Sequence, residues 1–544
     1  MKKLKTLFIF VLITVFLSQA SACFFKDGYI KPRINGPHMS ERVYKRVDVD
    51  GALSCINEVL ALLPQEDKLD EIGEKREKFF TEYYNNLNTM YVLSSINYDL
   101  DNESEYWQEE SLASANIYTQ LQNEAIKMEQ AILSSELYGK TFIDALGQEY
   151  ASMILANQTD SDEQLAILQE INQIQSQYIL NIQQGNTASM ASDYIKLVNL
   201  NNEYASSKTN AEGVYYKNYL EYAYETQFMR EYTPDEAYAF EIAVKDKARA
   251  TQAEVDKYYS LVTPLTTTSI TEADIKTILP LVIKKTAPDM MDAWEYMMER
   301  ELYDFSISSK KSQTSYVTTF DAYGDAYMFI DASGSFLQDV STIIHEFGHY
   351  NENFMACPLW ADPTLPSANY DLLEVHSQAF ELITLPAVGE VISSKYPVEN
   401  LYKSYTYHTI DNVLWVLLSG TCFSYFEYMI YYATTEELTV SFVTETFNDA
   451  CEDFLGSAYF DFYQVNHFFT APAYYISYPV SMIISAEVWA SEKPIDNYIN
   501  IVKLGGQNTI ATICEKTNIP SPLSTEAIDM VCNKITTFTQ SVFN

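Results

Sequence analysis

His345, Glu346 and His349 fall in the run His345-Glu346-Phe347-Gly348-His349, two imidazoles four residues apart with a carboxylate directly after the first. On a helix of 3.6 residues per turn, positions i and i+4 share a face, so both rings can reach one metal ion. Zinc suits such a pair: in catalytic sites it takes three protein ligands, leaves a fourth position for water and brings that water's pKa to about 7. The carboxylate of Glu346, beside a ligand but outside the ligand set, can take up the water proton and later return it to a leaving group. The pattern points to hydrolysis, with His345 and His349 as ligands and Glu346 as general base and then acid.

A third ligand is needed, and Glu352, Glu374, Glu381 and Glu390 follow within reach. Glu352 lies three residues past His349 and points along the same helix. Glu374 is the better candidate, because it opens Glu374-Val375-His376-Ser377-Gln378-Ala379-Phe380-Glu381, which reads as a second amphipathic helix. Pro358, Pro363 and Pro366 with Ser367 mark a loop between the two helices.

With these residues in view the chain resembles the zinc peptidases of the thimet oligopeptidase and oligoendopeptidase F group. That group carries a His-Glu-Phe/Leu-Gly-His helix, about twenty-five residues, then Glu-Val/Ile-x-Ser-x-x-x-Glu, seen here from Glu374 to Glu381. His467-Phe468-Phe469 followed by Pro472-Ala473-Tyr474-Tyr475-Ile476-Ser477-Tyr478 resembles the segment whose histidine and tyrosines reach the substrate carbonyl. The motifs cover residues 320–510, with Leu504-Gly505-Gly506 near the end. The resemblance implies a mainly α, elongated multi-helix zinc peptidase, with a deep substrate cleft between lobes and a small β element beside the active-site helix. It further implies one zinc per chain, short peptide substrates cut internally, and His467, Tyr475 and Tyr478 as catalytic donors, the choice between Tyr474 and Tyr475 staying open. It also implies that a strand within residues 319–335 pairs with the peptide backbone, although Tyr327-Met328-Phe329-Ile330 reads equally as a buried strand.

Other readings have less support. A metzincin requires glycine and histidine where Glu352 and Met355 stand. A thermolysin-like site has a shorter gap to its glutamate and does not account for the segment from His467 to Tyr478. A carboxypeptidase or dipeptidase on a related helical scaffold, or an exported peptide-binding protein with a poorly active zinc site, remain alternatives. As a residue type, His467 in an aromatic stretch would be a packed core histidine, and in a chain with 43 tyrosines any one of them is by default a packing residue. Glu381 returns to the face of Glu374 after seven residues, where it is either a partner for a ligand histidine or a solvated carboxylate. His38, His376 and His408 lack partners at ligand spacing and read as structural or surface residues.

The elements that position these groups are helical. Leu337, Val340, Ile344 and Phe347 form the apolar stripe that would anchor the His345 helix. Glycine and proline number only 16 and 17 in 544 residues, so long helices are expected. Residues 70–93 and 105–137 carry helical periodicity, Thr233-Pro234-Asp235-Glu236 has a cap with a first-turn proline, and Ser269-Ile270-Thr271-Glu272 fits a capping box. Polarity at 205–210 suggests a helical N-terminal lobe at 23–205 and a catalytic zinc peptidase domain at 206–544.

Lys2, Lys3 and Lys5, the apolar run 7–17 and Ala20-Ser21-Ala22-Cys23 have the form of a signal peptide over residues 1–22. The expected location is exported, secreted or at the cell surface, and Cys23 is either the first mature residue or a lipid attachment point. With no other apolar run of membrane length recognised, the lipid would be the only membrane attachment. Cys55, Cys357, Cys422, Cys451, Cys514 and Cys532 lack the paired spacing of a zinc-thiolate site, and no pairing among them follows. A formal charge of −39 repels phosphates and argues against nucleic acid as a partner. The sequence leaves the oligomeric state and cleavage preference open.

Overall fold

The computed structural model describes residues 36–544 apart from 85, 157–160, 211, 263–269, 313, 321, 334, 357–368, 397 and 506–507. The signal segment 1–22, Cys23, Ser269, Gly334, Cys357, the loop marked by Pro358, Pro363, Pro366 and Ser367, and Gly506 lie outside the described residues. The fold is mainly α with one small sheet. The elements used below are α1 (Pro234–Val255), β1 (Tyr303–Asp304), β2 (Tyr316–Phe320), β3 (Asp325–Phe329), α2 (Phe336–Ala356), α3 (Val375–Lys395), α4 (Leu401–Tyr431), α5 (His467–Thr470), α6 (Ser477–Ala490) and α7 (Thr525–Phe543). Two compact units are each assembled from non-adjacent stretches: Met1–Thr159, Thr267–Pro366 and Val502–Gln507 in the first, and Asp160–Thr266, Ser367–Ile501 and Asn508–Asn544 in the second. The polar run at 205–210 falls inside the second unit.

In the first unit, the helix Glu105–Leu133 buries Tyr118, Leu121, Ala125, Met128 and Ile132, the three-and-four spacing of a single face. Ser104 caps it by accepting from the Trp107 N–H at 3.3 Å. The helical run read at 70–93 is broken by a wide turn at Phe80–Tyr84, which brings the rings of Phe79, Phe80 and Tyr84 together at 5.1–5.9 Å. The sheet has the order β1-β3-β2, with β3 parallel to β1 and antiparallel to β2. Every residue of β3 is buried, and Met328 and Phe329 are paired on both sides. Within Tyr327-Met328-Phe329-Ile330, the burial and the two-sided pairing of Met328 and Phe329 are those of an internal strand.

Two buried ion pairs pin the sheet. Arg42 donates to both carboxylate oxygens of Asp325 at 2.8 and 2.6 Å and lies over the rings of Phe320 and Tyr323. Lys311 donates to Asp304 Oδ1 at 2.6 Å and to the carbonyls of Ser306 and Ile330. Next to this sheet, α2 packs on β2 and β3 and on the helices Glu272–Thr286 and Met291–Glu299. Its buried stripe starts at Phe336, not Leu337, and runs through Val340, Ile343, Ile344 and Phe347. The helix at Glu272–Thr286 is capped by Thr271 with Asp274, two residues beyond the capping box read at Ser269.

The second unit is built around α4, which packs against α1, α3, α6, α7 and the helix Val440–Leu455. Among the described residues α4 is the helix long and apolar enough to cross a membrane, a feature absent from the sequence reading, and 72% of its most apolar window is buried inside the fold. Gly420 on α4 permits the approach of α6, since a Cβ there would stand 2.6 Å from Pro479 Cδ. The first eight residues of α3, Val375 to Leu382, are all buried, so the start of this helix is enclosed rather than amphipathic. Thr233 and Pro234 start α1 as read, with Glu236 completing the capping box. Among the described cysteines all five are free thiols, and Cys422 and Cys451 face each other across α4 and its neighbour at 3.9 Å.

Candidate active site

In the first unit, α2 carries His345 and His349 half-buried on successive turns, with ring centroids 4.9 Å apart and planes at 78°. Glu346 is 7% exposed, so its carboxyl sits in the protein and not in bulk water. Ser333 fixes the entry to the helix, donating from N–H and Oγ to Asp339 Oδ1 at 2.7 Å each. Asn353 Nδ2 donates to the His349 carbonyl at 2.8 Å and to Glu352 Oε2 at 3.2 Å, which ties Glu352 to its own helix.

Glu374 belongs to the second unit and occupies the position before the first turn of α3, but its side chain caps no N–H group. Ser377 Oγ lies 3.0 Å from Glu374 Oε2 and 2.9 Å from its carbonyl oxygen, which ties the carboxylate to the first turn of α3. Glu381 is 8% exposed, which removes the solvated-face reading, and its charge acts on His408 across the same unit. His376 is buried, while His38 and His408 are half-buried.

His467 starts α5 and is 4% exposed, with Nε2 3.3 Å from Tyr478 Oη. Its Nδ1 is buried without a hydrogen-bond partner. Burial pushes the imidazole pKa down to about 3, so the ring is neutral. In one tautomer Nε2 accepts the tyrosine hydrogen; in the other Nε2–H donates to Oη and frees that hydrogen for a different acceptor. Tyr474 and Tyr478 are both raised by burial and by the charge of Glu374, whereas Tyr475 is raised by burial, Tyr478 and Glu427. Tyr474 and Tyr478 thus share the electrostatic field of Glu374, while the Tyr475 ring lies 4.9 Å from that of Phe423 and 5.0 Å from that of His467. All three stay protonated at neutral pH and can donate hydrogen bonds.

Behind these groups lies a buried polar network that sequence reading missed. Arg230 donates from Nε to Asp371 Oδ1 at 3.1 Å, from Nη1 to the Ala473 carbonyl at 2.9 Å and from Nη2 to Ser477 Oγ at 2.8 Å. Ser477 Oγ donates to Asp371 Oδ1 at 2.5 Å, while Tyr232 and Ser481 donate to the Asp371 carboxylate and carbonyl. Ala473 has φ +69°, a left-handed conformation that costs a non-glycine residue about 1–2 kcal/mol. Its N–H donates to Glu427 Oε1 at 2.7 Å. Burial lifts the Glu427 carboxyl to about 8, against the opposing pull of that N–H and of Arg230. These residues stand far apart in sequence, so no motif spacing signals them.

No protein-family model and no curated protein sequence matches the chain. Solved structures do. A putative oligoendopeptidase F superposes with TM-score 0.71 at 19% identity, covering 93% of this chain and 99% of its own. PZ peptidase A with an inhibitor gives TM-score 0.70 at 16% identity, covering 92% and 99%. The Pyrococcus furiosus carboxypeptidase is similar at TM-score 0.55 and 13% identity, covering 92% and 100%. Over nearly its whole length, this chain has the fold of the oligoendopeptidase F structures.

Proposed function

We propose that the chain is an exported zinc metalloendopeptidase that hydrolyses internal peptide bonds of short oligopeptides. The observation that carries the reading is the pair of half-buried imidazoles on successive turns of α2 with the buried carboxyl of Glu346 beside them. The donor set fits the metal: two imidazoles and a carboxylate, from His345, His349 and Glu374, are ligand types that zinc takes in catalytic sites. When bound, zinc supplies Lewis acidity and acidifies a water at neutral pH.

The chain's own residues supply the rest. Glu346 takes the proton of the attacking water and passes it to the leaving amine. Tyr478, with neutral His467 behind its hydroxyl, donates to the substrate oxygen as negative charge develops there, and Tyr475 backs the histidine ring. Ser377 orients Glu374. The endopeptidase reading is favoured over carboxypeptidase action by the higher similarity to the oligoendopeptidase F and PZ peptidase structures. Export rests on Lys2, Lys3, Lys5 and the apolar run that follows, with Cys23 either the first mature residue or a lipid carrier.

The test is hydrolysis of two matched sets of short quenched peptides, one blocked at both ends and one free at the C-terminus, by the zinc-loaded mature protein, beside Glu346→Gln and a chelator control. Internal cleavage abolished by both controls is the expected result. Cleavage only of peptides with a free C-terminus would establish the carboxypeptidase, and zinc binding without turnover on any peptide would establish a binding protein.

A further inference from the structure

Arg230 joins two segments that the proposed function uses. One is the turn Tyr370–Leu372, which leads directly into Glu374, and the other is the stretch from Ala473 to Tyr478. Its guanidinium is fully enclosed, as is the Asp371 carboxylate, so each is the other's counter-charge and neither can turn to water. Three nitrogens reach three different acceptors in fixed directions, which an ammonium on a flexible stem cannot reproduce. Between these contacts sits Ala473, whose left-handed backbone is gripped at its carbonyl by Arg230 and at its N–H by Glu427. That peptide sets the direction in which the chain leaves for Tyr474 and Tyr478.

We propose that Arg230, together with Glu427, is a positioning clamp: it holds the strained Ala473 peptide and locks the hydroxyl-bearing segment 474–478 to the turn that carries Glu374. The inference rests on the metallopeptidase reading for its catalytic consequence, but the clamp itself is a property of the second unit. Arg230 touches no reacting atom. It fixes the register between a metal ligand and the donors that meet the substrate oxygen, so its loss loosens geometry while the Glu374 and Tyr478 side chains themselves remain.

The test uses the full chain with Arg230→Lys, Ser477→Ala and Glu427→Gln, read by amide hydrogen exchange, zinc content and peptide hydrolysis. Arg230→Lys is expected to speed exchange selectively in 468–478 and 369–374, and to lower kcat per bound zinc about 10- to 100-fold with KM little changed. Ser477→Ala, which removes one shared hydroxyl and no charge, should show the same pattern at smaller size. Glu427→Gln keeps an acceptor for Ala473 and should leave exchange in that segment as in the parent. Uniformly faster exchange across the second unit, or unchanged exchange in 468–478 in both Arg230→Lys and Ser477→Ala, overturns the clamp. An inactive parent with the selective exchange pattern would sink the peptidase reading and leave the clamp standing.

Discussion

Glu427→Gln should abolish a pH dependence of stability that the parent shows. The Glu427 carboxyl is buried on α4, with Oε1 accepting from Ala473 and Oε2 without a partner, and burial lifts its pKa from 4.5 to about 8. Between those values the folded chain keeps a proton that the unfolded chain has released. The folded pKa is the higher one, so the stabilising contribution is whole below 4.5 and is lost as pH rises through about 8. At about 1.4 kcal/mol per pH decade, the loss over that window amounts to roughly 5 kcal/mol. Glutamine has the same shape, offers its amide oxygen to the Ala473 N–H and does not titrate. Urea unfolding of parent and variant from about pH 5 to about pH 9 isolates this group, because every other titrating residue cancels in the difference. The variant should gain on the parent progressively, by several kcal/mol at the alkaline end. A difference that stays constant within about 1 kcal/mol across the range would refute the argument.

Glu346→Gln should retain zinc by metal analysis while kcat falls about 10²- to 10⁴-fold, as expected for removal of a general base and acid. Tyr478→Phe should lower kcat about 10²- to 10³-fold with little change in KM, since its hydroxyl is assigned to the developing oxyanion; an unchanged kcat would remove Tyr478 from the reaction. Asp325→Asn breaks a pair whose side chains are 1% and 0% exposed, and should destabilise the first unit by about 3–5 kcal/mol, seen as a lower melting temperature.

Much of the candidate site was legible because its chemistry is local. His345 and His349 share a face by helical period alone, and an apolar stripe on the other face implies the packing that holds them. The stripe was misplaced by one residue at its start, where Phe336 outcompetes Leu337 for the core. Glu374 followed from motif spacing, yet the enclosure of the first two turns of α3 did not, because the polar residues His376, Ser377, Gln378 and Glu381 imitate a solvated face while being buried. The same holds for α4, whose apolar length is explained by the five helices around it. Arg230, Asp371 and Glu427 were invisible, since a buried ion pair is made by tertiary contact between segments separated by more than a hundred residues. Between Tyr474 and Tyr475, adjacent tyrosines offer no periodic signal, and only the field of Glu374 separates them.

Neither compact unit is a continuous piece of chain, and this bears on synthesis. The second unit needs α7, which follows α1, α4 and α6 along the chain, to pack against all three. Until α7 leaves the ribosome, the apolar surfaces of α4 and α6 wait without their partner, exposed to aggregation or to chaperones. Contacts of such long sequence separation also slow the search for the native arrangement. A chain stopped short of α7 therefore loses part of the second unit's core itself, and no cut at a single point of the sequence yields either unit as an intact fragment.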